Sequence, residues 1–155
     1  MTEARWSSRA VKQFREEADS QLQVDALLLQ ESTARQELGP LLWNEIREQV
    51  QIKCDRFNTE LGSPVAMFKA APSSELQVQF TFPHKGHRDL SASFGHTSTS
   101  GALSWSISGH NINETHGGEY ELGVEQGKAV FRTGNLTVES PEKIAETMLS
   151  ALLLE

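Results

Sequence analysis

The sequence predicts an α+β fold in which N-terminal helices, a six-stranded antiparallel β-meander and a C-terminal helix form a two-layer sandwich. Three observations support this prediction. Apolar residues recur every three or four positions before Pro64, alternate with polar residues from Leu76 onward, and return to helical spacing after Pro141. These two periods are typical of amphipathic helices and of strands with one buried face. A barrel closed by its strands is the main alternative to the sandwich.

Residues 1–62 are rich in Glu, Gln, Arg, Ala and Leu, which are good helix formers. An apolar stripe in the second part of this stretch consists of Trp43, Ile46, Val50, Cys54, Phe57 and Leu61. A narrower stripe in the first part consists of Val11, Phe14, Ala18 and Leu22. Gly39-Pro40 interrupts the run, which predicts either two helices or one helix kinked near residue 39. We expect residues 1–38 to be an N-terminal helical arm and 39–155 the α+β domain, most simply within a single domain overall.

Alternation of apolar and polar residues predicts four strands, at 76–82, 89–94, 103–108 and 119–124. Shorter strand candidates lie at 65–71 and 128–133. The connections are too short for the helix of a parallel crossover, so an up-and-down meander is expected. Ser140 and Pro141 are typical of an N-cap and a first helical position, which predicts a helix start there.

The chain is acidic, with 14 basic and 21 acidic side chains and a formal net charge of −7. Nucleic acids and anionic membranes are bound by clustered Lys and Arg, so we expect neither as a partner. Cys54 is the only cysteine, which excludes an intrachain disulfide. The longest apolar runs are far shorter than a membrane span, and no signal-peptide pattern precedes them. These features favour a cytoplasmic protein.

All five histidines fall within residues 84–116. The turn after the second strand and the loop after the fourth would lie at one end of a meander, where His84 or His87 could meet His110 or His116. Neutral imidazole binds zinc and related ions. The spacing matches no specific metal site, so these four are weak candidates, and we expect no metal and no cofactor.

Carboxylates, serines and the cysteine are the other candidate catalytic groups. Glu119, Glu121 and Asp89 could share a sheet face, but their serine and glutamine neighbours favour a solvated surface. The serines of the predicted strands lack a nucleophile-elbow motif. Cys54 lies on an apolar stripe, where a buried structural thiol is expected. We predict no catalytic residue and expect a non-enzymatic role.

Two functions of different classes remain. The first is a protein-interaction or adaptor domain that self-associates, most simply as a homodimer, or binds another protein through its N-terminal helices. Its predicted interface residues are Trp6, Val11, Phe14, Leu22 and Leu27. The alternative is a small-ligand-binding protein or enzyme with a pocket between sheet and helix and histidines at its rim.

Overall fold

A computed structural model describes residues 2–69, 74–82, 86–97, 100–109 and 116–153, and side chains from Arg5 onward. Two helices flank one sheet: α1 is Thr2–Leu61 and α2 is Pro141–Leu152. The strands are β1 (Ala66–Lys69), β2 (Glu75–Phe82), β3 (Gly86–His96), β4 (Gly101–Gly109), β5 (His116–Glu125), β6 (Lys128–Arg132) and β7 (Val138–Glu139). The predicted α+β class is confirmed.

The helix α1 runs unbroken through Pro40, so the alternative of two N-terminal helices is wrong. Proline inside a helix removes one backbone hydrogen bond and costs about 3 kcal/mol, which packing on both sides can offset. Gly39 does not end the helix but lies where the helix packs against the sheet. A Cβ there would lie 2.9 Å from Leu122 Cδ2 and 3.4 Å from Phe94 Cζ. Glycine therefore lets the helix approach the sheet closely.

Each strand pairs with its neighbour in the chain, always antiparallel, in the order β1 to β7. This confirms the meander, but the sheet has seven strands rather than six. The added strand β7 is only two residues long, Val138 and Glu139 pairing with Arg132 and Phe131. Two residues are too few to show an alternating pattern, which is why the sequence did not reveal it.

The sheet curls into a half-barrel, which corrects the flat layer implied by a two-layer sandwich. The outermost strands β1 and β7 do not pair with each other. The half of α1 that follows residue 33 lies in the concave side, contacting β1 at one margin and β5 and β6 towards the other. Because the helix fills the curl, the sheet is covered without closing on itself.

One face of the sheet is buried and the other is solvated, as the alternation predicts. In β2, Leu76, Val78 and Phe80 are buried while Glu75 and Gln77 are exposed. Phe131 and Leu122 continue the buried face, and Trp43 of α1 stacks on Phe94 at 5.8 Å. Helices and sheet thus share a single core.

Side-chain contacts and backbone angles mark the ends of the elements, and at α2 they match the predicted N-cap. Ser140 caps α2, its Oγ accepting from the Lys143 amide at 3.2 Å, and Pro141 is the first helical residue. Gly62 ends α1 at a φ of 76°. Asn58 then fixes the start of the sheet, since its side chain accepts from the Ala66 amide and donates to the Ala66 carbonyl, both at 2.8 Å. These contacts set where the packed part of α1 meets β1.

The helix α2 is tied to its neighbours by charged side chains. Lys53 of α1 lies 3.7 Å from a carboxylate oxygen of Glu142 and 3.3 Å from one of Glu146. Arg88 of β3 is buried and donates to the Leu152 carbonyl at 3.0 Å. The buried arginine was not foreseen, although it has the same strand parity as the apolar residues of β3.

Candidate functional site

The most unusual surface of the molecule is the first half of α1. We call residues 5–30 the exposed segment and residues 34–61 the packed segment. Every side chain of the exposed segment is open to solvent except half-buried Ala10, and the first buried residue of the helix is Ala34. At 1.5 Å per residue, the exposed segment extends about 39 Å.

Large apolar side chains are unusually frequent on this uncovered helix. The five predicted interface residues are all exposed: Trp6 by 72%, Val11 by 50%, Phe14 by 74%, Leu22 by 66% and Leu27 by 56%. Sequence reasoning did not include three further exposed residues, Val24, Leu28 and Leu29. Leu28 and Leu29 directly follow Leu27, but the sequence does not show whether they are exposed. A concentration of exposed apolar side chains of this kind is typical of an interaction surface.

The apolar side of the exposed segment continues the side that packs on the sheet. Ala10 and Ile46, Phe14 and Val50, and Ala18 and Cys54 are pairs whose members lie 36 residues apart. That spacing equals about ten turns of a regular helix, so each pair shares one angular position. The residues of the packed segment at these positions are all buried. The same helix side is therefore covered in one half and uncovered in the other.

Hydrogen bonds between side chains of the exposed segment join neighbouring turns of the helix. Gln13 donates to Glu17 at 3.4 Å, and Gln21 donates to Asp25 at 2.9 Å, each across one helical turn. Such pairs stabilise a helix by roughly 0.2–0.5 kcal/mol. Most helical stability in proteins comes from packing of an apolar face. The exposed segment contains such a face, and within the described residues no other element covers it.

The base of the exposed segment borders a groove of about 490 Å³. Its walls are the helix between Leu29 and Leu38 and the β5–β6 turn at Gly127. That turn is a tight hairpin, with φ of 51° at Gln126 and 75° at Gly127. The groove marks the point where the helix leaves the sheet.

Two of the four candidate metal-binding histidines, His87 and His116, lie among the described residues. His84 and His110 lie outside the described residues. His87 is exposed at the start of β3, its Nε2 3.4 Å from Asp89 Oδ2. His116 pairs in register with Ile107, a core-side residue, whereas His87 has the opposite strand parity to core-side Leu90. His87 and His116 therefore belong to opposite sheet faces, and the structure does not bring these two together.

The remaining histidine, His96, lies at the other end of β3, stacked on Phe94 with ring centroids 5.4 Å apart. In the part of the chain that the structure describes, no group of three or more His, Cys, Asp or Glu side chains is arranged to hold a metal ion.

The outer face of the sheet carries the acidic and serine residues that are candidate catalytic groups. Glu119 faces Ser104, and Glu121 faces Ala102. Asp89 is on the same face, opposite Ser108. Small side chains leave an open groove of about 350 Å³ on this face, and its polar wall consists of Glu75, Gln77, Ser91, Ser93, Ser104 and Ser106. All six are exposed, as expected of a solvated strand face.

Cys54 is 1% exposed in the core between α1 and the sheet. Burial, assisted by the negative charge of Asp55, raises the pKa of this thiol from 9.0 to about 11. A nucleophilic cysteine needs access and a lowered pKa. Cys54 has neither, and it behaves as a small apolar core residue.

Neither helix, over the residues described, combines the length and hydrophobicity needed to cross a membrane. The chain matches no protein-family model, no curated protein and no solved structure. Fold and surface together define its class: an α+β domain whose N-terminal helix continues beyond the core as an uncovered apolar surface.

Proposed function

We propose that this protein is a non-catalytic interaction or adaptor domain that self-associates through the exposed segment of α1. The observation that supports the proposal is the apolar side of that segment, which continues the core-facing side of the same helix and on which no other described element packs. A second copy supplies an identical apolar side, so a two-fold dimer satisfies both.

The side chains expected at the centre of the interface are Val11, Phe14 and Leu22, which lie on the stripe that includes Ala10 and Ala18. Burying an apolar side chain of this size contributes about 1.5–3 kcal/mol when it was fully exposed beforehand. Trp6 and Leu27 lie off this stripe on a regular helix, so we expect each to contribute less.

The composition supports a protein rather than nucleic acid as the partner, since the chain has a net charge of −7. The single, buried cysteine is compatible with a reducing compartment, and a cytoplasmic location is part of the proposal.

The matched test compares two variants with polar substitutions on one helix. Phe14→Ser with Leu22→Ser removes the two largest side chains of the stripe, whereas Val24→Ser changes a position that is 50% exposed and lies about 200° around the helix from Leu22. We expect light scattering to give a dimer for the native chain and for Val24→Ser, and a monomer for the double variant. Far-UV circular dichroism checks that all three remain folded. A native chain that is monomeric at every concentration would refute the proposal.

Ligand binding between sheet and helix is the second candidate. It requires a cavity rimmed by histidines. The described space between the packed segment and the sheet is filled by a continuous cluster of buried side chains, including Val50, Leu76 and Phe131. His87, His96 and His116 are exposed. We therefore place this candidate behind self-association.

A further inference from the structure

We infer that two copies of the exposed segment pair antiparallel, with the two-fold axis near residue 16. This orientation deepens the proposed function and rests on it. Two independent features of the segment point to the same centre: the distribution of charge and the order of large and small apolar side chains. The length of the exposed segment accommodates such a pair.

Charge along the segment is divided into two blocks. Residues 5–15 carry four basic side chains and no acidic one: Arg5, Arg9, Lys12 and Arg15. Residues 16–31 carry five acidic side chains and no basic one: Glu16, Glu17, Asp19, Asp25 and Glu31. A parallel, in-register pair would place like charges together along its whole length. An antiparallel pair centred on the boundary places each basic block beside the acidic block of the other chain.

The apolar stripe gives the same centre by a different argument. Ala10, Phe14, Ala18 and Leu22 follow one another at four-residue steps, so small and large side chains alternate. In an antiparallel pair centred at residue 16, Phe14 faces Ala18 and Leu22 faces Ala10. A parallel in-register pair would set large against large and small against small. Interdigitation of large with small side chains fills an interface at the density of a protein core.

The exposed segment is long enough for this pairing. Its side chains are exposed from Arg5 to Gln30 except half-buried Ala10. With the axis at residue 16, Arg5 of one helix lies at the level of Leu27 of the other, so antiparallel partners overlap over most of the exposed segment. The first turn of each helix then reaches the groove at the base of the partner segment. The two α+β domains lie at opposite ends of the pair, their Ala34 residues separated by about 54 Å along the axis.

The orientation is tested by distances between identical labels in the two chains. Spin labels are attached to Ser20→Cys or Gln30→Cys, both exposed positions. An antiparallel pair centred at residue 16 separates the Ser20 positions by about 12 Å along the axis and the Gln30 positions by about 42 Å. A parallel in-register pair gives no axial separation at either site. Buried Cys54 stays unlabelled, and the native chain treated with the same reagent is the control.

The experiments distinguish a failure of the antiparallel orientation from a failure of self-association. Dimers in which both labels give equal short distances would overturn the antiparallel orientation and leave self-association standing. Chains that remain monomeric in scattering would overturn both. A Gln30 distance about 30 Å longer than the Ser20 distance supports the inference, because these sites differ by ten residues on each of two helices.

Charge reversal provides a second readout. Replacing the four basic residues of 5–15 with Glu makes the segment acidic throughout. In the antiparallel pair we expect dimerisation to weaken on the order of tenfold or more at low salt, and the difference to shrink as salt screens it. A dissociation constant that does not change would contradict the assigned pairing of blocks.

Discussion

The two halves of α1 have the same apolar side and opposite environments. In the packed segment that side is covered by the curled sheet and by α2, and Ile46 and Val50 are completely buried. In the exposed segment the equivalent positions, Ala10 and Phe14, face solvent to different degrees. The comparison shows that helical periodicity identifies the side of a helix that packs, but leaves open whether its partner is in the same chain.

The largest expected contrast comes from truncating one side chain in each half. Ile46→Ala removes a fully buried side chain, so we expect the free energy of unfolding to fall by about 3 kcal/mol. Phe14→Ala removes a side chain that is 74% exposed, and we expect a change within about 0.5 kcal/mol. Urea unfolding at a protein concentration low enough for monomers measures both. Equal losses of unfolding free energy would contradict the difference in burial between the packed and exposed segments.

A second contrast concerns pH and the thiol of the packed segment. The folded-state pKa of Cys54 is raised to about 11, so its contribution to stability is complete below the unfolded pKa of 9.0 and is lost as pH rises towards 11. Between pH 7 and 10.5 the native chain should lose about 2 kcal/mol more than Cys54→Ala, which has no thiol to ionise. Burial also raises the pKa of Tyr120, and that residue titrates in both proteins. Parallel losses would contradict the burial of Cys54.

At Gly39, helix propensity and core packing are expected to have opposite effects on the free energy of unfolding when alanine replaces glycine. Alanine is usually about 1 kcal/mol better than glycine inside a helix, but a Cβ at this position would meet Leu122 Cδ2 at 2.9 Å in a filled core. Overpacking costs about 1–3 kcal/mol. We therefore expect Gly39→Ala to destabilise the domain by about 1 kcal/mol. Ser20→Ala on the exposed segment is the control, and it should stabilise slightly. A stabilising Gly39→Ala would show that the helix does not approach the sheet this closely.

The smallest effect is expected at the charged link between the helices. Lys53 lies near Glu142 and Glu146, which are 66% and 58% exposed. Exposed ion pairs contribute about 0–1 kcal/mol. Lys53→Gln should lower the free energy of unfolding by less than about 1 kcal/mol, and the loss should diminish at high salt. A loss as large as that of Ile46→Ala would show that charge, rather than apolar contact, joins α1 to α2.

Much of the fold could be predicted because it depends on local periodicity. The stripe at Trp43, Ile46 and Val50 identified the core side of α1, and the alternation in β2 identified its buried face. Gly39-Pro40 was misleading as a sign of a helix interruption. Gly39 packs closely against Leu122 and Phe94, which are distant in sequence. The short strand β7 depends on pairing with β6, and its two residues contain no pattern of their own.

The candidate site could be predicted only in part. Five exposed apolar residues of the exposed segment were identified, but the sequence could not show that the sheet ends before it reaches them. That boundary depends on the length of the packed segment and on where the β5–β6 turn meets the helix. For the histidines, proximity in sequence was a poor guide to proximity in the fold. All five fall between residues 84 and 116, yet His87 and His116 lie on opposite faces of the sheet.

The central claim is that the apolar side of the exposed segment is uncovered within one chain and covered by a second copy. Amide hydrogen exchange along α1, measured at several protein concentrations, tests it directly. We predict that protection of residues 5–30 rises with concentration, while protection of residues 43–57 is high throughout. Protection of residues 5–30 that is the same from the most dilute to the most concentrated sample would contradict the claim.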